Sequence, residues 1–456
     1  MPRGIQETKL LQLMFQDYYR NKRDNVVAPD KVYNREFGME SWEFTWRCIK
    51  SRAQSDSSTP EPCGQTGREF RRVKKCPVCG SSNVQVTNWT RHIGFRSREA
   101  LLNDLITTAP HSVYHSAAFY AVPVARHMDE KGWQGAELVF DIDADHLDLP
   151  CSKDHDLWRC NNPECFEVGA GKAPDVCPKC NGQSFSIRKW ICDKCLTIAK
   201  QHTLKLYDDF LVDDFGVKPN HIQLNYSGHR GYHIRVKDPR VFKLGSEGRV
   251  EVVHYISGMG LDGEKMVMQQ GRVGVVPNRT LPGWSGKLAD AMIEFIRNID
   301  SYDGNERWVK PLKNNRSAAI KGLSRQPPVL SSKVKYVGLK SWQEIAVKAA
   351  PYYGGEIDVP VTHDIHRIIR LIGSLNGKTG FTVNQLTRDS IDDFDPFSDA
   401  IGFSDGLLKV KISKNQSRIP QFRIGNNTYG PFENEVVELP MAPAIFLVCK
   451  GVATVE

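Results

Sequence analysis

Asp141 and Asp143 are the residues whose type and spacing point first to chemistry. In Glu137 to His146, ELVFDIDADH, the apolar residues Val139, Phe140 and Ile142 read as a buried strand. Residues two apart on a strand share a face, so the two carboxylates project together. Neighbouring carboxylates repel, most strongly beside apolar surroundings, and a divalent cation removes that repulsion. Mg²⁺ suits such a donor set, one or two carboxylates completed by water and substrate phosphates. An isolated D-x-D is more often a solvated turn, so the reading depends on what the rest of the chain brings to it.

The twelve cysteines are a second chemical inventory. Cys160-x₄-Cys165 followed by Cys177-x₂-Cys180 has the pattern of a compact zinc ribbon. Cys151-x₃-His155 and Cys192-x₂-Cys195 flank it and form an outer set, so residues 151–195 hold ligands for two zinc ions. Upstream, Cys76-x₂-Cys79 before Gly80 suggests a third zinc, with Cys48, Cys63 and His92 competing for its remaining positions.

Two further segments offer anion ligands. HIQLNYSGHRGYHIRV, residues 221–236, alternates Ile222, Leu224 and Tyr226, then Tyr232, Ile234 and Val236, which predicts a hairpin. Its turn presents Ser227, Gly228, His229 and Arg230, and His233 follows on the second strand. Glycines allow close backbone approach, and Arg and His supply phosphate donors. In VTHDIHRIIRLIGSLNGKTG, residues 361–380, Ile365, Ile368, Ile369 and Ile372 fall at helical spacing. That spacing predicts a helix with Asp364 at its positive end, Arg367 and Arg370 along it, and a basic loop from Gly373 to Gly380 beyond.

The elements that position these groups follow from periodicity. Residues 5–20 predict an opening amphipathic helix with Leu10, Leu11, Met14 and Phe15 inward. Residues 49–64 read as a loop, the segment before Pro110 as a helix, and Val113 to Ser116 as a strand. Residues 193–215 and a stretch near Gly286 to Ile299 predict helices, and ELPMAPAIFLVCKG, 438–451, a terminal strand or strand pair. The chain of 456 residues is long enough for two or three lobes, and a net charge of +8 fits a polyanionic partner. The longest terminal apolar run, Met441 to Cys449, is too short to cross a membrane. Paired cysteines without a signal-like leader point to zinc in a reducing cytoplasm.

Taken in order, ELVFDIDADH, the zinc knuckle, YSGHRGYHIRV and DIHRIIRLIGSLNGKTG resemble the catalytic small subunit of archaeal and eukaryotic DNA primase, closer to the archaeal branch. The resemblance runs from REFGM near residue 35 to the C-terminal apolar segment. It implies an α/β (α+β) catalytic core with an RRM-like mixed sheet, formed by residues 1–47, 90–150 and 196–380. Insertions would fall at 48–89 and within the zinc region 151–195, with a β-rich segment at 381–456. It also implies Mg²⁺ or Mn²⁺ on Asp141, Asp143 and Asp364, and structural Zn²⁺. Nucleotide contacts would come from Ser227, Gly228, His229, Arg230, His233, Arg370, Asn376 and Lys378, with Glu36 and Arg91 nearby.

The family usually carries histidine where this chain has Asn376, and the cysteine-bearing insertion at 48–89 exceeds its usual pattern. The implied activity is template-directed nucleotidyl transfer that makes short primers on single-stranded DNA from nucleoside triphosphates. A primase large subunit and the replication machinery would be its partners. An end-joining or repair polymerase of the same superfamily, or a catalytically silent zinc-ribbon nucleic-acid-binding subunit, shares some of these features. The first would lack synthesis without a primer, and the second would lack metal-dependent incorporation.

Overall fold

The computed structural model describes residues 4–49, 63–144, 147, 149–271, 273–412 and 419–456. Asp145 and His146 of the carboxylate stretch, and residues 50–62 of the expected loop, lie outside the described residues.

Helix α1 (Ile5–Asn21) buries Leu11, Phe15, Tyr18 and Tyr19, spaced by three and four residues along one face. A long strand β1 (Phe37–Cys48) then pairs antiparallel with β2 (Thr66–Glu69) and β3 (Val84–Ile93). Helix α2 (Arg98–Thr108) starts at Ser97, whose hydroxyl accepts from the Ala100 amide at 3.2 Å. Strand β4 (Ser112–Ser116) returns beside β1.

The carboxylate strand β5 (Leu138–Asp143) buries Leu138, Val139, Phe140 and Ile142. After the cysteine-rich region, helix α3 (Asp193–Lys205) buries Leu196 and Ala199. The hairpin β6 (Ile222–Tyr226) and β7 (Gly231–Val236) has the bounds the alternation predicts. Helices α4 (Gly283–Arg297) and α5 (Leu339–Tyr353) pack against each other in a helical layer that the sequence marked only near residue 286. Three strands complete the two main sheets and begin the third: β8 (Ile368–Arg370), β9 (Asn384–Leu386) and β10 (Leu407–Ile412). The chain ends in β11 (Val436–Pro440), α6 (Met441–Cys449) and β12 (Ala453–Val455).

The mixed α/β class holds. One sheet runs β8-β4-β1-β2, with β3 also on β1; a second runs β9-β6-β7-β5; a third runs β11-β10-β12. In the second sheet, β5, the crossover helix α3 and the hairpin make the split β-α-β of the expected RRM-like core. The fourth strand β9 adds at the β6 edge.

Two local expectations are corrected. The isoleucine-rich segment is not a helix. A five-residue helix, Val359–His363, ends just before Asp364, and Ile368 to Arg370 are strand residues paired with Ser116, His115 and Tyr114. β-Branched residues fit such a strand, and their helical spacing is overridden by the edge of β4. The apolar C-terminal run is helix α6 between two strands. Pro443 falls in its first turn, where the missing N–H costs nothing, and apolar residues all round suit a fully buried helix.

Candidate active site

The two sheets meet at a small apolar cluster of Ala117, Val139, Val361 and Ile369, which ties β5 to β8 through the short helix. Beside it opens a cleft of about 660 Å³ including its mouth, lined by Asp141 and Asp143 and by Arg367, Arg370 and Lys378. Sheet register sets the carboxylates: Asp141 lies opposite His233, and Asp143 opposite Gly231. A Cβ at Gly231 would run into the Ile142 carbonyl, so only glycine lets β7 close this tightly on β5. His233 Nε2 lies 3.6 Å from Asp141 Oδ1, and Arg230 Nε lies 3.8 Å from Asp143 Oδ1.

Burial, then the neighbouring Asp143, pushes the Asp141 carboxyl up to about 7, against the pull of Arg367. A partly buried carboxylate in this condition fits a divalent cation. Burial, reinforced by Arg370 and Arg367, lowers His233 to about 3, so its imidazole is neutral with one donor and one acceptor. Its Nδ1 and Arg370 Nη1 are buried without hydrogen-bond partners among the described residues. The Arg370 guanidinium is steadied over the Tyr114 ring at 4.8 Å.

The hairpin turn and the basic loop are locked together. Asn376 Nδ2 donates to the Ser227 carbonyl at 3.2 Å, and Thr379 Oγ1 to the Gly228 carbonyl at 2.6 Å. Gly228 has a φ of +73°, and a Cβ there would press on Asn376. Asn376 Oδ1 accepts from the Lys378 amide, and its side chain is fully buried. Asn376 therefore holds the loop that presents Lys378, and is not among the cleft-lining residues.

Arg230 is likewise buried behind Asp143, donating to the Trp190 carbonyl at 3.2 Å. Ser227 and His229 do line the cleft. Lys450 comes from the end of α6, 3.2 Å from His229 Nε2 and over the Trp190 ring; burial lowers it to about 7. No sequence motif marks Lys450.

Asp364 is not brought to this cleft. Its carboxylate accepts from the His366 amide at 2.8 Å, and its charge acts on Tyr120, His366 and Arg249. Glu36 and Arg91 form a neighbouring cluster with Lys131: Arg91 Nε donates to Glu36 Oε1 at 2.7 Å, and Lys131 Nζ is 3.4 Å from Oε2. The carboxylate that does act on Asp141 is Asp358, whose charge helps raise it and whose amide donates to the Asp141 carbonyl at 3.1 Å. Asp358 is the N-cap residue of the short helix, yet its side chain makes no capping bond there.

Among the described residues, three groups of metal-ligand residues come together. Cys151, His155, Cys192 and Cys195 converge with Sγ separations of 3.4 and 3.5 Å, and His155 Nε2 is 3.2 Å from Cys195. His155 Nδ1 meets Asp156 at 2.9 Å, the carboxylate–histidine pairing that orients a zinc ligand, and Asp156 also accepts from the Trp190 amide. Cys160, Cys165, Cys177 and Cys180 form the inner group, with pairs at 3.6 and 3.8 Å. A tetrahedral Zn²⁺ with bonds near 2.3 Å sets ligand atoms roughly 3.5–3.8 Å apart, so both groups fit it. Cys76 and Cys79 join Cys48 and Cys63, whereas His92 faces Glu36.

A family model described as DNA primase small subunit matches residues 186–388. The chain is 31% identical to the DNA primase small subunit PriS of Methanococcoides burtonii, over 97% of each chain. It is 32% identical to that of Methanothrix thermoacetophila, covering 80% of this chain and 89% of the relative. For Nitrosopumilus maritimus the identity is 29%, with 98% and 99% covered.

Proposed function

Since the chain belongs to the DNA primase small-subunit family, we propose that it is a primase catalytic subunit whose nucleotidyl transfer runs at the Asp141–Asp143 cleft. The observation that carries this is that two adjacent carboxylates and three cations, Arg367, Arg370 and Lys378, line one cleft. Carboxylates for a metal and cations for phosphates are the complement of a metal-bound nucleoside triphosphate.

Asp141, Asp143 and Asp358 would hold the divalent metal, Mg²⁺ or Mn²⁺, in place of the Asp364 that the resemblance implied. When bound, it supplies the charge that activates a primer 3′-hydroxyl and stabilises the leaving pyrophosphate. The chain's own residues do the rest. Arg370 and Lys378 bind the phosphates, the neutral His233 adds a hydrogen bond, and Ser227 and His229 border the same space. Arg230 positions Asp143 and links it, through Trp190 and Asp156, to the outer zinc group. Both zinc groups have four protein ligands and no open position, so their role is structural.

The template is single-stranded DNA, and a primase large subunit is the partner that the family's description as a small subunit points to. Incubation of the purified chain with unprimed single-stranded DNA, labelled nucleotides and Mg²⁺ or Mn²⁺ tests this. Short, template-dependent products are expected. Extension of added primers only would favour a strand-extending enzyme, and DNA binding without incorporation would favour a non-catalytic subunit.

A further inference from the structure

The third cysteine group lies at the far end of the β1–β3 ribbon. Cys48 closes β1, its Sγ is 3.6 Å from that of Cys79, and Cys63 is 3.6 Å from Cys76. These separations match a tetrahedral thiolate zinc site and exclude disulfides, whose sulfurs lie about 2.05 Å apart. The turn is built like that of the inner ribbon: Gly80 N donates to the Cys76 carbonyl at 2.9 Å, as Asn181 N does to Cys177.

The segment leading into this turn carries Arg68, Arg71, Arg72, Lys74 and Lys75, all exposed, against one carboxylate, Glu69. None of the five cations has an ion pair among the described residues. A solvated charge run would be free at both ends. This one is pinned at both: Phe70 packs on the main core with Lys9 5.5 Å over its ring, and Cys76 is a member of the cysteine group.

The sheet connects this basic segment to the cleft. Trp89 on β3 meets Tyr114 edge-on at 5.0 Å, and Tyr114 both lines the cleft and lies under Arg370. From the ribbon's cysteine end at Val84 to Trp89 is roughly 17 Å of strand, a span of a few nucleotides.

We propose that Cys48, Cys63, Cys76 and Cys79 bind a third zinc, and that this zinc holds residues 68–75 as a basic arm that grips the backbone of the single-stranded template outside the cleft. The arm contacts phosphates, not bases, so it adds affinity and salt dependence without sequence preference. The inference rests on the reading of the chain as a template-directed primase.

The test uses the full chain and fluorescent oligo(dT) of two lengths, one short enough to fill only the cleft and one about 12 nucleotides longer, across a salt series. Metal analysis is run in parallel. Wild type carries three zinc ions and the combined Cys76→Ser, Cys79→Ser variant two. The combined variant Arg71→Ser, Arg72→Ser, Lys74→Ser, Lys75→Ser keeps three zinc ions, which shows that it is folded. It binds the longer oligonucleotide about tenfold or more weakly, with a salt slope smaller by about 3, from roughly 0.7 per lost phosphate contact. Its affinity for the short one is unchanged. Equal affinity and slope on the longer oligonucleotide, or two zinc ions in wild type, would overturn the proposal. A wild type that binds neither oligonucleotide would instead overturn the functional reading on which it rests.

Discussion

Glu137, just before β5, and Asp141, on it, are carboxylates four residues apart with opposite electrostatic fates. Glu137 is fully buried between two arginines: Arg35 Nη2 reaches Oε1 at 2.5 Å and Arg235 Nη2 reaches Oε2 at 2.6 Å. Burial alone would raise its pKa, but Arg235 and Arg35 outweigh that and hold it below the usual range. Asp141 is only partly exposed, the strongest charge acting on it is another carboxylate, and it rises to about 7. The difference separates two uses of an acid shielded from water. A carboxylate matched by the protein's own cations holds the fold together, and one left with a like-charged neighbour is matched to something the protein binds.

The contrast can be broken most forcefully at Glu137. Glu137→Gln leaves Arg35 and Arg235 buried without a counter-charge, an expected loss of about 3–5 kcal/mol in denaturant unfolding. Asp141→Asn should do the reverse. It should keep the fold and lose nucleotide incorporation by about a hundredfold or more, equivalent to about 2.7 kcal/mol in the barrier.

A pH series of the metal-free protein sharpens the same contrast. The Asp141 pKa is raised on folding, so its protonated form adds stability that is complete below about pH 4 and is lost as pH rises through about 7. Asp141→Asn escapes that loss. The variant should match wild type near about pH 4 and exceed it by about 2 kcal/mol near about pH 8, the full shift being reduced because the side chain is 22% exposed. Adding Mn²⁺ should close the gap by stabilising only the wild type. The smallest effect is expected at Asn376, which touches neither carboxylate. Asn376→Ala should cost about 1 kcal/mol of stability through the lost bond to Ser227 and loosen the Lys378 loop.

The sequence made much of this site legible because its signals are short-ranged. Alternation in 138–143 and 222–236 defined β5 and the hairpin, and cysteine spacing defined the members of both nested ligand groups that the structure brings together. The helix was expected over the wrong residues because four isoleucines at helical spacing outweighed a weaker signal. Asp358-Val359-Pro360 pairs an N-cap residue type with proline in the first helical turn, the mark of a helix starting there and ending before Asp364. What decides the segment is non-local, the pairing of Ile368 to Arg370 with β4 across more than two hundred residues of chain. The Arg35–Glu137–Arg235 cluster and Lys450 were hidden for the same reason, since their partners meet only in the folded chain.

The central claim is that the cleft completes its metal site with Asp358, and the most direct measurement compares Asp358→Asn with Asp364→Asn. Incorporation on a primed template and Mn²⁺ affinity are measured for both, with unfolding curves to show that each is folded. The account predicts that Asp358→Asn loses incorporation about a hundredfold or more and binds Mn²⁺ more weakly, while Asp364→Asn stays within several-fold of wild type. An inactive Asp364→Asn beside a near-normal Asp358→Asn would contradict it.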